Sequence, residues 1–582
     1  MSLTSSLHIG QSALAASQLA LQVTGNNLAN AATPGYHRQR VDLQATQGQQ
    51  VGPRLSVGRG VGVQEIRRLI DPALQARARD AASAEGAARV SQSVLEQLET
   101  VTSAAGNGGN DLSSLLTTTF NAFSELANNP ASPTSRAAVI EQGAALAGQL
   151  KDLRRQLVGQ RSQVDAQLGD GVRQADSLLQ QIADLNGAII DSEGGQGGVN
   201  GNGNLRDQRD RLLGQLGELM DITVIDRGNG AVDVLASSTP LILGSTVQHL
   251  EFRVASDGTE LTAKVINPAN NEEINITSGT IGGLLANRTG NVERTIGDLD
   301  KLTSTLIFEV NNIHAQGRPA SVLRDVTGSL QVGVPDQTRA FNDPANTTFT
   351  KLPYGPKNGS FVVRITDANG NASTTRINID LDGVTNAGIP GTADDTSLTS
   401  LVASLNGVTN LTAQVTPAGE LKLTTAAGYD VSFADDSSGV LATLGMNSFF
   451  TGTSGLDIGV RADLRADPTK LTIGSNPGKN EAALAIAGLR TKKLDSITGQ
   501  SLNDLWSSST GRNAVALQSA NGSLESLGTV RQSLEAQEAA LSGVSTDEES
   551  INLITYQQQY QGAARFIGVI NDLTQVLLGL VQ

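Results

Sequence analysis

The chain has 582 residues, a net charge of −15 and no cysteine. That length exceeds what one hydrophobic core serves, so several domains are expected, and the missing thiols exclude disulfides, thiolate metal sites and cysteine nucleophiles. The acidic balance argues against general nucleic-acid binding, one Trp and 3% aromatic residues leave few stacking platforms, and His8, His37, His249 and His314 supply a histidine metal cluster poorly.

The N-terminal stretch shows neither a cationic n-region nor an unbroken apolar core, so no signal peptide is expected, and no run approaches the roughly 18 apolar residues of a membrane span. Those two absences alone read as cytoplasmic, while a long cysteine-free chain also suits export in an unfolded state. No Asp, Glu, Lys or Arg occurs before Arg38. Leu7, Leu14, Leu21 and Leu28 fall seven apart, with Ala13, Ala16, Ala20 and Val23 widening the stripe, which predicts an amphipathic helix with a narrow seam. Its other faces carry Ser, Gln, Thr and Asn, so it reads as packed on several sides. It is expected to end where Asn26, Asn27 and Asn30 compete for backbone hydrogen bonds and Pro34-Gly35 turns the chain, with Arg38 and Arg40 marking a return to solvent.

No proline lies between Thr134 and Thr239, and Leu146, Leu150, Leu153, Leu157, Val164, Leu168, Ala175, Leu179, Ile182 and Ile189 keep near-heptad spacing. Long antiparallel helices follow, broken by a flexible connector, GGQGGVNGNGN, from Gly194 to Asn204. That cluster follows a helix and lacks the Gly-x-Gly-x-x-Gly order, so it is no dinucleotide fingerprint. In LRDQRDRLLGQL, Arg206 with Asp210 and Asp207 with Arg211 are four apart and predict surface pairs; a catalytic reading has no nucleophile or metal partner nearby. Alternation from Asp221 to Val265 predicts hairpins, and GGLLANRTGNVERTIGDLDKLTSTLIFEVNNIHAQG returns to helix, with His314 expected as a capping or surface residue. From Arg318 to about Lys470, SFVVRIT, TRINIDL, LTAQVT, ELKLTT and DVSFA predict strands and SLTSLVASLNG one helix. Within this stretch DLDGVTNAGIPGTADD is acidic but out of register with an EF-hand loop, and it reads as an exposed loop rather than a calcium site. Helix resumes after Asn480.

The C-terminal stretch repeats the opening pattern: Leu553, Tyr556, Tyr560, Ala563, Ile567, Ile570, Thr574, Leu577 and Val581 alternate steps of three and four, as a coiled-coil seam does. Only Arg565 and Asp572 are charged after Glu549. Thr546 and Glu549 match a capping box, with Asp547 and Glu548 favourably placed against the helix dipole. Two charge-poor helices at opposite ends predict mutual pairing that completes its burial against other subunits.

The stretch SSLHIGQSALAASQLALQVTGNNLANAATPGYHRQR resembles the leading segment of the bacterial flagellar axial proteins, and SGVSTDEESINLITYQQQYQGAARFIGVINDLTQVLLGL resembles their closing helix. GYHRQR, YQQQY and LRDQRDRLLGQLGEL are similar to the hook-associated members of that family. Leu28 and Ala31-Ala32 stand where many relatives carry Ile and Asn-Thr. The resemblance implies a non-enzymatic structural subunit at the junction of hook and filament, exported with a flagellar chaperone at its C-terminal region and located outside the cell. It implies self-assembly into the axial structure beside hook protein, a second junction protein and filament subunits, with neither nucleic acid nor membrane as partner and no cofactor. A hook or distal rod subunit fits the long helical middle less well, and a secreted adhesin on the same scaffold remains an alternative; an enzyme is disfavoured because neither His-Glu-x-x-His nor Gly-x-Ser-x-Gly occurs.

The expected fold is multidomain α+β: a terminal α-helical coiled coil (1–50 with 545–582), a long helical-bundle shaft with small β hairpins (51–317 with 471–544) and an inserted β-rich outer domain (318–470). The expected assembly interface is Leu7, Leu14, Leu21, Leu28, Leu553, Tyr556, Tyr560, Ala563, Ile567, Ile570 and Leu577, and no catalytic, cofactor or metal residue is expected.

Overall fold

The computed structural model describes residues 3–52, 55–104, 111–194, 202–256 and 261–579. Most of the expected glycine connector (195–201), residues 257–260 and Val581 lie outside these residues. In chain order the helices are α1 (Leu3–Ala29), α2 (Pro72–Ala104), α3 (Leu112–Asn128), α4 (Pro133–Gly194), α5 (Gly203–Leu219), α6 (Gly279–Asn287), α7 (Arg294–Ala315), α8 (Leu398–Asn406), α9 (Val440–Leu444), α10 (Ala462–Ala466), α11 (Glu481–Gly488), α12 (Leu502–Ser542) and α13 (Thr546–Gly579). The chain divides into two compact units, one made of residues 1–94, 164–289 and 517–582, the other of 95–163 and 290–516. No helix among the described residues is long and apolar enough to cross a membrane.

In the first unit α1 packs on α13 and on the antiparallel strands Gln39–Ala45 and Val61–Arg68. Ala20, Val23 and Val41 form a small core there, with Val63, Ile66 and Tyr556 against it. Leu74 and Ala81 of α2 meet Leu534 of α12, and Glu85 and Arg531 join the same two helices by an ion pair. Residues 223–247 form a four-stranded antiparallel meander. It is pinned by Asn186 of α4, whose side chain donates to Val232 O and Gly244 O and accepts from Val232 N–H and from the buried Arg209. Asn186 is fully buried, and these bonds replace the water it gives up.

The second unit holds two three-stranded antiparallel sheets, 325–327 with 421–425 and 411–415, and 372–379 with 359–367 and 429–434. They share one core with α8 and α9, including Phe361, Val363, Leu401, Leu423, Phe433 and Leu441. Beside it Phe449 stacks edge-on against Phe123 at 5.4 Å and Phe450 at 4.7 Å. A Cβ on Gly143 would stand 2.7 Å from the Phe449 ring, so α4 carries glycine where this ring approaches it. All ten apolar residues of the near-heptad stripe in α4 are buried.

Two readings of the sequence are corrected here. His314 is neither cap nor surface: it is fully buried, its Nδ1–H donates to Asn447 O at 2.7 Å, and its Nε2 accepts from Thr472 N–H at 3.1 Å. One donor and one acceptor require the neutral ring, and burial pushes its pKa down to about 4. The predicted surface pairs of α5 are replaced as well: Asp207 is buried, and both it and Asp210 accept from Arg68 Nη1 at 2.7 Å. Periodicity places residues on a face but does not say which distant cation arrives there.

His314 generates a pH prediction. Because its folded pKa of about 4 lies below the ordinary 6.5, its contribution is whole above pH 6.5 and is lost as pH falls toward 4. Urea midpoints of the wild type should drop across that window more steeply than those of His314→Gln; equally steep curves would refute the assignment.

Candidate assembly interface

α1 and α13 run antiparallel, since Gly10 faces Phe566 and Ile567 while Asn27 reaches Glu549. The buried face of α1 is Gly10, Ala16, Ser17, Ala20, Val23, Thr24 and Asn27, a stripe of small residues alternating with the leucine positions. A Cβ on Gly10 would stand 2.7 Å from Ile567 Cγ1, so the two backbones approach here only because this residue is glycine.

The predicted interface residues distribute unevenly. Leu7, Leu14 and Leu21 are half-buried, and Leu28 is exposed at the end of α1. On α13, Leu553, Tyr556, Tyr560, Ala563 and Ile567 are half-buried and Ile570 is buried, while Leu577 is exposed. A second apolar stripe of α13, which the sequence reading did not single out, stays largely exposed: Ile551, Ile554, Val569, Leu573 and Val576, with Phe566 at its edge beside Gly10, each 43–65% exposed. An apolar groove of about 500 Å³, lined by Gly10, Ala13, Ala16, Leu43, Gly562 and Phe566 among others, opens along the pair.

A polar pivot closes the pair at the other end. Glu549, only 2% exposed, accepts from Arg38 Nε at 2.8 Å and from Asn27 Nδ2 at 3.0 Å, and Arg38 Nη2 lies 2.7 Å from it. Asn27 also accepts from Gln39 N–H and from the Tyr36 hydroxyl, and donates to Gln39 O. Burial first, and then the charges of Asp207 and Glu549, push the Tyr36 pKa up to about 12, which keeps that hydroxyl a donor. Three expectations change accordingly. Helix α1 runs through Asn26 and Asn27 and ends at Ala29, so of the three expected asparagines only Asn30, whose side chain donates to Asn26 O, stands at its end; Arg38 turns inward rather than to solvent; and Glu549 does not complete a capping box, because Ser545 lies just before α13 and its carbonyl and hydroxyl accept from the first turn.

The sequence held a signal for this pivot. Arg38 is the first charge in the chain and Glu549 the last before the charge-poor closing stretch, so two otherwise depleted ends each retain one partner of an ion pair.

His37 extends the network. Its Nδ1 lies 2.7 Å from Asp207, its Nε2 lies 3.8 Å from Glu538, and burial lowers its pKa less than these carboxylates raise it, to about 9. His37, Asp207 and Asp210 have the spacing of a metal site, but the Arg68 guanidinium already bridges both carboxylates and the imidazole is cationic at neutral pH. The cluster is an ion-pair network, and a cationic imidazole has no lone pair to offer a metal.

Three family models match the chain: the flagellar hook-associated protein FlgK helical domain at residues 95–327, the flagella basal body rod protein at 7–37, and the flagellar basal body rod FlgEFG protein C-terminal model at 538–580. The flagellar hook-associated protein 1 of Salmonella typhimurium is 26% identical over 591 residues, covering 99% of this chain and 100% of that protein. That of Escherichia coli is 26% identical over 594 residues with the same coverage, and that of Bacillus subtilis 26% over 588 residues, covering 97% of this chain and 96% of its own. The solved flagellar hook junction protein FlgK from Burkholderia pseudomallei aligns with a TM-score of 0.48 at 17% identity, covering 80% of this chain and 100% of that one.

Removing one partner of a buried pair leaves the other uncompensated, so Glu549→Ala should cost the first unit about 3 kcal/mol and open α1 and α13 to protease. Glu548→Ala, which removes the exposed partner of Arg38, should cost less than about 1 kcal/mol in the same urea titration. Equal costs would contradict the pivot. His37 has the opposite pH sense to His314: its contribution is whole below pH 6.5 and is lost as pH rises through about 9. His37→Gln should therefore remove part of the stability decline between those values.

Proposed function

The chain belongs to the flagellar hook-associated protein 1 family, and we propose that it joins hook to filament as a structural subunit held in the axial polymer by the α1–α13 pair. The observation that carries this reading is the second apolar stripe on α13. Phe566, Val569, Leu573 and Val576 keep coiled-coil spacing, stand exposed in the single chain, and lie on a helix with only two charges after Glu549. Leu28 and Leu577, exposed at the helix ends, and the half-buried Leu7, Leu14, Leu21, Leu553, Tyr556, Tyr560, Ala563, Ile567 and Ile570 complete the interface proposed.

Residues 1–50 with 545–582 then act as the coiled-coil polymerisation domain, 51–317 with 471–544 as the shaft, and 318–470 as an outer insertion. The insertion is supported by its hydrophobic core, whose buried members all fall between Ala315 and Met446. Its role needs no chemistry, only a body that stays folded while the ends bind. Hook protein, a second junction protein and filament subunits are the neighbours proposed for the terminal pair, with a flagellar export chaperone covering the apolar C-terminal region before secretion and the assembled protein lying outside the cell.

Val569→Asp tests the reading, because Val569 is 55% exposed and its replacement leaves the contact between Gly10 and Ile567 intact. The purified variant should keep the wild-type melting temperature yet fail to support filament growth when added to hooks lacking this protein. An added charge that must be desolvated between subunits costs several kcal/mol there and almost nothing in the free chain. Normal filaments would sink the proposal.

A further inference from the structure

The acidic loop of the second unit runs from Asp380, at the end of strand Ala372–Ile379, to Asp395, just before α8. Its linear spacing does not match an EF-hand, but the fold brings its two ends together. One carboxylate oxygen each from Asp380, Asp382 and Asp395 lie within 4.8 Å of one another. That is twice a calcium–oxygen distance of about 2.4 Å, the largest separation two ligands of one calcium ion reach.

A cluster of acids alone is a common surface feature. This one differs in Asp395, which is only 5% exposed and whose Oδ1 is buried with no hydrogen-bond partner, while its Oδ2 accepts from Asn342 Nδ2 at 2.6 Å. Asp394 beside it likewise keeps a buried Oδ1 without a partner. A carboxylate oxygen taken out of water and left unbonded is costly, and a cation is the partner that satisfies it. Among the described residues, Asp380, Asp382, Asp394 and Asp395 have no Lys, Arg or His within ion-pair distance. Asp380 and Asp382 are exposed, which gives an ion a path from solvent and leaves room for waters to complete its shell.

We propose that Asp380, Asp382 and Asp395 form a calcium site that ties the two ends of this loop together. Asp395 supplies the buried, pre-positioned oxygen, and the two exposed carboxylates close over the ion. A shell with only three protein carboxylates, two of them exposed, places the affinity with extracellular calcium modules, at a Kd of about 10⁻⁴ M. Magnesium, which demands shorter bonds and a stricter octahedron, should bind at least about tenfold more weakly.

The test is calorimetric titration of the full chain, stripped with chelator, with calcium chloride and separately with magnesium chloride. One calcium per chain is expected, with protection of the loop from protease on binding. Asp382→Asn, whose amide oxygen can still accept from Val384 N–H, and Asp395→Asn, whose amide oxygen can still accept from Asn342, should each weaken binding at least tenfold while circular dichroism stays unchanged. No heat up to 5 mM calcium (about fifty times the expected Kd), binding that survives either substitution, or magnesium binding as tight as calcium would each overturn the proposal.

Discussion

A buried carboxylate must be paired, and the one on Glu549 sets the arrangement of both chain ends. It takes its donors from Arg38 and Asn27, residues that lie on either side of the turn closing α1. Bonding both at once holds that turn against the first turn of α13 and fixes the register of the pair. From Asn27 back to Gly10, and from Glu549 on to Ile567, the helices climb about 26 Å each. The glycine therefore arrives opposite the isoleucine that no larger residue would admit. Through His37 and Asp207 the same turn is tied to α5, so the position of the terminal pair is not independent of the unit that carries it.

Polar and apolar contacts divide the work by distance from water. The pivot, with its tight geometry, gives specificity and little surplus stability, because desolvation consumes much of the attraction. The stripes on α13 are unspecific in direction but large in area, and such contacts gain most where water is fully excluded. The core of the second unit needs no such completion: Phe361, Val363 and Phe433 are all at most 2% exposed in the single chain. Closed body and unfinished ends are what a subunit requires if it is to polymerise without unfolding.

Much of this was legible in the sequence where one period governs a long segment. The α4 stripe from Leu146 to Ile189 is buried at every position named from spacing, and strands 411–415 and 421–425 follow their two-residue alternation, whereas 429–434 is buried at four consecutive positions. On α13 the three-four spacing located the half-buried face through Thr574 but could not separate it from the outward stripe two positions round, since both are apolar. What escaped were the polar contacts between residues far apart in sequence: Arg68 with Asp207, Arg38 with Glu549, His314 with Asn447 and Thr472. Local propensity assigned those side chains to surface or cap because their partners come from elements that no window contains.

The bond from Asn27 to Glu549 spans 522 residues of chain. Contacts at such separation form last, because the loop they close must already be ordered for its entropy to be affordable. A chain made from its N-terminus has α1 present from the start and no partner for it until the final helix appears. The helix pair is thus completed only when everything between has been made. A prematurely ended chain lacks one half of the pair, so the pair itself records that both ends of the chain are present.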